Sequence, residues 1–451
     1  MKYYFIIIFI LLPTVLSAQI ITTWAGEGRG GGIDGLGDGL SKDSSIFTNP
    51  ANSFFDKYGN FYFGDIVDQR VRIIDTIGNI NSLAGNGYTG YNGDGGLADT
   101  SELNGPVSVI TDSVNNVYIA DNVNYRIRKI DHITGIISTI AGNGVSGFSG
   151  DNGLAINAQF SMLSDIWFDK NGDLLITDNS RVRKINRSGI ILTIAGNGSF
   201  TSTVNGGLAD TSAIGGATGV CTDSNNNIYI ADVSNTKIYK INNLGAISIV
   251  AGTNAGYLYN GDNIPAINAA VIPNKVRVDP KTNNLFFVDL SPNNRIRMID
   301  SAGIIHTAAG NGTNSYTGDN GLAELSGIPN PGGLSFDNCS NLYISQVGHP
   351  ARLRKVTYDT SCYIHAAQHV GVNNVTPVGV KIYPNPTYNV ITIEIQITME
   401  YRLMNIMGCV LQTGVLKAGK NNIGLEGMIS GVYLLELNST EGRTVRKVLK
   451  Q

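Results

Sequence analysis

Most of the chain alternates short apolar runs with polar turns. Between Gln19 and Thr357 the apolar runs are four to seven residues long, rich in Val, Ile and Tyr, and bounded by Asn, Asp or Gly. No stretch there keeps the 3.6-residue apolar period of an amphipathic helix. The pattern therefore predicts an all-β region of short strands with few helices.

One sequence unit recurs six times within this region. The segment NVYIADNVNYRIRKI from Asn116 has counterparts that begin at Asn60, Asp173, Asn227, Asn284 and Asn341. A second motif alternates with the first and reads LAGNG at Leu83 and IAGNG at Ile140 and Ile194. Four short strands repeated at this period are typical of a propeller blade. In the second unit the predicted strands are Val107 to Thr111, Val117 to Ala120, Tyr125 to Ile130 and Ile136 to Ala141.

The two ends of the repeat region complement each other. The first repeated element, Ile20 to Ala25, is a lone final strand, whereas the last unit stops after its third strand at Val356. Pairing Ile20 to Ala25 with Arg352 to Val356 completes the sixth unit and leaves no open edge. The sequence thus predicts a six-bladed β-propeller closed by its N-terminal strand.

These repeats resemble the NHL-repeat family. The core YIAD…N.RIRKI and the downstream TIAGNG…GDGG.A stretch carry the resemblance, which covers residues 19–357. It implies a six-bladed propeller. Relatives with this repeat mostly bind proteins or RNA, and a few related propellers are lyases, lactonases or hydrolases. The resemblance therefore implies the fold more strongly than the function.

Composition narrows the classes of partner. The 451 residues include 55 glycines, and only 15% are charged. The glycines have no three-residue period, so they indicate tight turns rather than collagen. A net charge of -3 provides no field that would attract nucleic acid or an anionic membrane.

Residues 1–18 have the features of a cleaved export signal. Lys2 precedes the apolar run Phe5 to Leu12, and small residues precede Gln19. No later apolar run approaches 18 residues, so no transmembrane segment is expected. Outside the cytoplasm disulfides are permitted, and Cys339 and Cys362 are placed to clip the end of the repeats. Cys221 lies in an apolar strand and is expected to be a buried free thiol.

One acidic position recurs in almost every unit. It holds an aspartate five times and Gln346 in the sixth unit; the aspartates are Asp65, Asp121, Asp178, Asp232 and Asp289. A residue needed once per blade is interpreted as scaffold, and Asp121 is expected to cap the turn before Tyr125 through backbone two residues on. The basic residues of the third strands are expected to form local ion pairs rather than one basic patch.

The loops between units offer further candidates. Four carry a Gly-Asp-Gly or Gly-Asp-Asn sequence after an aromatic residue, with the aspartates Asp94, Asp151, Asp262 and Asp319. Calcium favours such oxygen ligands, although ordinary turn chemistry explains the same residues. A ligand site is expected where copies differ; those positions are Asn179-Ser180, Asn205-Gly206-Gly207, Gln346 and His349.

The C-terminal region is a separate unit. Residues 358–379 form a predicted linker, and residues 380–451 form a predicted small β-sandwich. Its predicted strands are Val390 to Gln396, Tyr401 to Asn405, Val410 to Thr413, Val432 to Leu437 and Thr444 to Leu449.

This unit resembles the type IX secretion C-terminal sorting domain, and an Ig-like accessory domain is the alternative. The matching residues are Tyr383, Pro384, Asn385, Pro386, Gly408, Gly431, Tyr433 and Lys447. The resemblance implies recognition by the type IX outer-membrane machinery, followed by release or attachment at the surface of a bacterium with an outer membrane.

These observations predict a secreted or surface-attached, monomeric binding module. Its loops would contact an extracellular protein, peptide or glycan, and neither nucleic acid nor a resident cofactor is expected. No catalytic residue is assigned, since the histidines share no repeat register and no nucleophile motif occurs. The alternative is a propeller lactonase, lyase or hydrolase with a metal on its axis.

Overall fold

Short antiparallel strands dominate the protein. The computed structural model describes residues 19–26, 37–201, 205–253, 256–348, 351–358, 380–385, 387–405, 410–426, 428, 431–439 and 442–450. The helices among these residues are short 3-10 turns: Lys42–Ser44, Ala98–Thr100, Ala155–Asn157, Ala266–Asn268 and Ala323–Leu325. The predicted all-β class is confirmed. The predicted export signal lies outside the described residues and stays a prediction.

Strands β1 to β27 form six antiparallel sheets, each of which we call a blade. The N-terminal strand is β1 (Ile20–Ala25). Blade 1 comprises β2 (Pro50–Phe55), β3 (Phe61–Asp65), β4 (Arg70–Ile74) and β5 (Ile80–Ala84). Blade 2 comprises β6 (Pro106–Thr111), β7 (Val117–Asp121), β8 (Arg126–Ile130) and β9 (Ile137–Ala141). Blade 3 comprises β10 (Gly153–Leu154), β11 (Leu163–Phe168), β12 (Leu174–Asp178), β13 (Arg181–Ile185) and β14 (Ile190–Ala195).

The remaining blades follow the same plan. Blade 4 comprises β15 (Ala217–Thr222), β16 (Ile228–Asp232), β17 (Lys237–Ile241) and β18 (Ile247–Ala251). Blade 5 comprises β19 (Ile264–Pro265), β20 (Pro273–Val278), β21 (Leu285–Asp289), β22 (Arg295–Ile299) and β23 (Ile304–Ala309). Blade 6 comprises β24 (Gly321–Leu322), β25 (Pro331–Phe336), β26 (Leu342–Gln346), β27 (Arg352–Thr357) and the N-terminal β1. The strands predicted for blade 2 agree with the structure to within one residue at each boundary.

The blades close into a ring. The inner strand of each blade, such as β2 or β6, contacts the inner strands of both neighbouring blades, and β25 of blade 6 contacts β2 of blade 1. Strand β1 pairs with β27 in antiparallel register, with Ile21 opposite Val356. The predicted closure of the last blade by the N-terminal strand is therefore confirmed.

The core lies between the blades rather than at one centre. Each apolar cluster joins two neighbouring blades; for example, Ile110 and Ala120 of blade 2 pack with Leu163 and Ile176 of blade 3. Second strands such as β12 are buried along their whole length, because sheets cover them on both faces. This packing explains why the second strands are mainly apolar on both faces, up to the polar residue at their end, instead of alternating.

The repeated Ala-Gly turn has a steric cause. Gly142, which follows β9, has a φ of +90°, and a Cβ there would lie 2.1 Å from the carbonyl oxygen of Tyr125. A residue with a side chain would meet both the left-handed conformation and this collision. Glycine is therefore required where the fourth strand leaves the blade.

The C-terminal unit contains two sheets. Strands β28 (Lys381–Tyr383), β29 (Val390–Ile395) and β32 (Gly419–Gly424) form one of them. The other contains β30 (Met399–Asn405), β31 (Val410–Leu416), β33 (Gly431–Ser439) and β34 (Gly442–Lys450). Ile391 and Ile423 of the first sheet share a core with Leu403 and Leu435 of the second, which confirms the small sandwich. The sequence reading missed β28 and β32, because a short strand and a Lys-Asn-Asn segment lack an apolar run.

None of the helices in the described part of the chain has the length and hydropathy of a membrane-spanning helix. Among the cysteines, Cys221 is a buried free thiol, as predicted. Cys339 is disulfide-bonded. Its predicted partner Cys362 lies outside the described residues, so this pairing stays a prediction.

The ring closure can be tested at Ile21. This side chain is fully buried in the cluster that joins blades 5 and 6. We expect Ile21→Ala to lower the free energy of unfolding of the mature protein by about 2–5 kcal/mol, because it leaves a cavity at the seam. Urea unfolding followed by tryptophan fluorescence measures the propeller specifically, because Trp24 and Trp167 are the two tryptophans of the chain. Thr22→Ala at a half-buried neighbouring position is the control; equal losses in the two variants would contradict the seam.

Candidate functional site

The inner strands surround the propeller axis, and their side chains differ from blade to blade. The residues two positions after the start of each inner strand are Asn52, Ser108, Asp165, Gly219, Lys275 and Gly333. Two positions further on, the residues are Phe54, Ile110, Trp167, Cys221, Arg277 and Ser335. Five of these twelve positions form a buried polar group that we call the axial cluster: Asn52, Ser108, Asp165, Lys275 and Arg277.

Asp165 is the centre of the axial cluster. Its carboxylate accepts hydrogen bonds from Arg277 Nη1 at 2.8 Å and from Arg277 Nη2 at 3.0 Å. It also accepts from Asn52 Nδ2 at 2.5 Å, from Ser108 Oγ at 2.9 Å and from the backbone N–H of Val220 at 3.0 Å. These donors come from blades 1, 2, 4 and 5, so one carboxylate links five blades across the axis.

Lys275 is a second buried cation beside this carboxylate. Its ammonium donates to the carbonyl oxygens of Ser164 and Thr218, both at 2.6 Å. Burial lowers the pKa of Lys275 to about 8, although the Asp165 charge acts in the opposite direction. Burial alone would raise the pKa of Asp165, but Arg277 and Lys275 hold it below its ordinary value. The axial cluster thus contains two basic groups and one carboxylate.

A cavity of about 420 Å³ opens at one end of the axis, on the face that carries the turns between first and second strands. We call this cavity the axial mouth. Five half-buried aromatic side chains line it: Phe54, Phe55, Trp167, Phe168 and Phe336. The Arg277 side chain belongs both to this lining and to the axial cluster. A concave apolar surface with a few polar groups is the usual form of a small-ligand site.

Contacts within the lining hold the indole of Trp167. Its Nε1 donates to Thr222 Oγ1 at 3.1 Å, and its ring centroid lies 6.1 Å from that of Phe54. The guanidinium of Arg277 lies 4.8 Å from the centroid of the Trp167 ring. The aromatic wall is therefore fixed by a hydrogen bond, a ring contact and a cation–π contact.

The interblade aspartates lie away from this mouth and contact buried arginines. Asp94 pairs with Arg128 and Asp151 with Arg183, both at 2.7 Å. Asp262 and Asp319 pair at 2.8 Å with Arg297 and Arg354 respectively. Among the described residues no group of three or more His, Cys, Asp or Glu is placed to hold a metal. The ion pairs give each of these carboxylates a cationic partner, and calcium binding there stays a prediction.

The recurring aspartates of the second strands bind the start of their own blade. Asp121 accepts from the backbone N–H of Asn104 at 2.7 Å, and Asp289 accepts from that of Ile272 at 2.8 Å. Burial raises the pKa of Asp65 and of Asp121 to about 6. The expected contact of Asp121 with backbone two residues on is not found, since its backbone partner lies upstream in the chain. This geometry fits a scaffold role, which stays an interpretation.

Two of the positions at which the repeat copies differ, Asn205 and Gln346, are positions of the buried ion pairs in other blades. In blade 4, Tyr239 stands where the other blades have a buried arginine, and Asn205 replaces the loop aspartate and accepts from the N–H of Ile249 at 3.0 Å. In blade 6, Gln346 Oε1 accepts from Arg354 at 3.4 Å. His349 lies outside the described residues, and Asn179-Ser180 does not reach the axial mouth.

The residues of the axial cluster were not predicted from the sequence. The available signal was the register itself: aligning the first strands, rather than the second and third, puts Asn, Ser, Asp, Gly, Lys and Gly at one position. Variation at a buried repeat position cannot serve a need common to all blades. A site is thus still expected where copies differ, but the differing positions that form the axial cluster lie on the first strands and not in the loops.

The sorting residues are distributed over the C-terminal sandwich. Tyr383 lies in β28 and its hydroxyl donates to Glu394 at 3.3 Å, whereas Tyr433 is buried in the core. Gly431 begins β33 and Lys447 lies in β34. Pro386 and Gly408 lie outside the described residues.

Comparison with known families identifies the C-terminal unit. Residues 381–451 match the family model described as the secretion system C-terminal sorting domain. This match indicates export by type IX secretion to the surface of a bacterium with an outer membrane, or into its surroundings.

A curated relative matches part of the chain. The chain is 28% identical over 166 residues to Protein SUPPRESSOR OF QUENCHING 1, chloroplastic, of Arabidopsis thaliana; the match covers 35% of this chain and 16% of that relative. The chain thus corresponds to a small part of the length of this curated relative.

Solved structures with a similar fold come from Bacteroides. A structural genomics protein of unknown function from Bacteroides thetaiotaomicron has a TM-score of 0.55 at 18% identity, covering 75% of this chain and 76% of that one. An auxiliary nutrient binding protein from Bacteroides ovatus has a TM-score of 0.54 at 15% identity, covering 75% and 76%. At these identities the likeness concerns the fold alone.

The buried ammonium at the axis predicts a pH dependence of stability. An unfolded chain keeps the Lys275 proton up to the ordinary pKa of 10.5, whereas the folded chain loses it from about 8. The unfolded state therefore binds more protons in this window, and stability rises with pH. We expect the unfolding free energy of the wild type, relative to Lys275→Met, to rise by about 1–3 kcal/mol between pH 8 and 10.

Denaturant unfolding at each pH measures this difference. Lys57→Met, at an exposed lysine of blade 1, is the matched control and is expected to leave the pH dependence of the wild type unchanged. A difference between wild type and Lys275→Met that stays constant across this pH range would contradict the lowered pKa.

Proposed function

We propose that this chain is an exported, six-bladed NHL-type propeller that binds a ligand by holding a flat apolar face of it in the axial mouth. The observation that carries the proposal is the aromatic lining of that cavity. Half-buried rings expose apolar surface that a ligand would remove from water, and burial of such surface drives binding.

The axial cluster supports the proposal by supplying a fixed base to the mouth. Asp165, Lys275 and Arg277 are each less than one-tenth exposed; Arg277 donates to the Asp165 carboxylate, and the Lys275 ammonium donates to the carbonyl oxygens of Ser164 and Thr218. A preorganised wall reduces the conformational entropy that a ligand must overcome. The proposed site is the axial mouth, rather than the interblade loops that the sequence suggested.

The C-terminal unit supports the proposed destination. An exported propeller with a ligand site would meet molecules at the cell surface or in the medium. The sorting unit would deliver the propeller there and would take no part in binding, because the lining of the axial mouth comes from blades 1, 3, 4, 5 and 6.

Binding at the mouth can be tested with naphthalene, a flat hydrocarbon probe. We expect saturable binding to the mature full-length protein, measured by equilibrium dialysis. In a Trp24→Phe background, the remaining tryptophan fluorescence reports Trp167 alone and should change with the same dissociation constant. Phe336→Ala should weaken binding about tenfold or more, because it removes one wall of the cavity.

Tyr88→Ala is the matched control, since Tyr88 is 73% exposed and lies outside the axial mouth. Its affinity for naphthalene should equal that of the wild type. Absence of saturable binding, or equal weakening by Phe336→Ala and Tyr88→Ala, would overturn the proposed binding site.

Export can be tested by deleting Lys381 to Gln451. We expect the truncated protein to accumulate in the periplasm, because the signal that the outer-membrane machinery recognises is gone. Cell fractionation and protease treatment of intact cells measure its location. The full-length Phe336→Ala protein is the control and should be delivered normally; surface delivery of the truncated protein would refute the sorting role.

A further inference from the structure

We propose that the ligand of the axial mouth is a flat ring compound that carries a carboxylate; this inference rests on the proposed function and specifies its ligand. It depends on which polar groups of the lining have hydrogens to donate. A cavity whose donors lack acceptors, while its carboxylates already accept hydrogen bonds within the protein, favours a ligand with acceptor oxygens.

The first donor is Arg277. Its two Nη atoms are engaged by Asp165 and by the carbonyls of Val220 and Val276. Its Nε is buried and has no hydrogen-bond partner in the described part of the protein. A buried N–H without an acceptor costs free energy. A ligand oxygen that accepts a hydrogen bond from Arg277 Nε would remove this cost.

The second donor is Lys170 at the rim. Its side chain is exposed and lines the axial mouth. In the described structure its backbone N–H donates to Asn226, while its ammonium makes no hydrogen bond. The ammonium is therefore available to an anionic group that enters the mouth.

The repeat supplies a direct comparison for Lys170. Lys57 occupies the same register in blade 1, after a Phe-Asp pair that matches Phe168-Asp169. Its ammonium donates to the carbonyl of Ser113 at 2.7 Å, and it does not line the axial mouth. Thus, of two lysines at one repeat position, only Lys57 donates a hydrogen bond from its ammonium to another described residue.

The carboxylates of the lining accept hydrogen bonds from backbone N–H groups of their own turns. Asp169 accepts from the N–H groups of Asn171 and Asp173, at 2.8 and 3.0 Å. Asp223 accepts in the same way from two backbone N–H groups of its turn, and also from Asn227 Nδ2 and the Tyr229 hydroxyl.

The third lining carboxylate, Asp279, accepts from the N–H of Lys281 and from the hydroxyls of Thr282 and Ser340. Each of the three carboxylates thus accepts at least two hydrogen bonds from nearby groups, whereas Arg277 Nε and the Lys170 ammonium have no acceptor among the described residues. A carboxylate is the acceptor that both a guanidinium and an ammonium bind most strongly.

The experiment compares 2-naphthoate with naphthalene on the mature full-length protein, by equilibrium dialysis at low salt. We expect 2-naphthoate to bind at least about tenfold more tightly, since the two probes share the ring system and differ in the carboxylate. Lys170→Met should lower the ratio of the 2-naphthoate affinity to the naphthalene affinity about threefold or more. Lys57→Met is the matched control and should change neither affinity.

The outcomes separate this inference from the proposed function. Equal affinity for the two probes would overturn the carboxylate and leave the axial mouth as a binding site. Failure of both probes to bind would overturn the site itself. Arg277→Lys keeps a positive charge but removes Nε, so a folded variant should lose the preference for 2-naphthoate; if it does not fold, the wild-type comparison of the two probes still decides.

Discussion

A buried arginine in the third strand is the constraint on which five of the six blades depend. Arg72, Arg128, Arg183, Arg297 and Arg354 are fully buried, and each pairs with an aspartate in the linker that leads into its own blade. An unpaired guanidinium in such a position would be strongly destabilising. The linker must therefore lie against its blade, where short strands such as β10 and β24 cover the outer edge and remove a site of aggregation.

Blade 4 shows that the two partners of this interaction change together. Its third strand has Tyr239 instead of arginine, and its linker has Asn205 instead of aspartate. An arginine kept without the linker aspartate would be a buried ion that lacks this partner. The loss of the loop aspartate is thus accounted for by packing within the blade, and it does not require a ligand.

The sequence predicted the ring well, because six copies of one pattern report the same strands and turns six times. The strands of the blades and the pairing of β1 with β27 follow from that repetition. The contacts of Asp121 and Asp165 could not be predicted, since their partners come from distant segments or other blades. The place of Trp167 and Arg277 in the axial mouth was not predicted for a related reason. Each residue type occurs in only one copy at its repeat position, so the repeat pattern does not indicate it.

The seam imposes an order on assembly. Strand β1 precedes every blade in the chain and pairs with β27, which follows all the other propeller strands. Because these two strands lie at opposite ends of the repeat region, β1 has no partner until β27 is in place. The sixth blade can therefore be completed only when both ends of the repeat region are present, whereas the axial cluster draws its residues and hydrogen bonds from blades 1 to 5 and includes no strand of that blade.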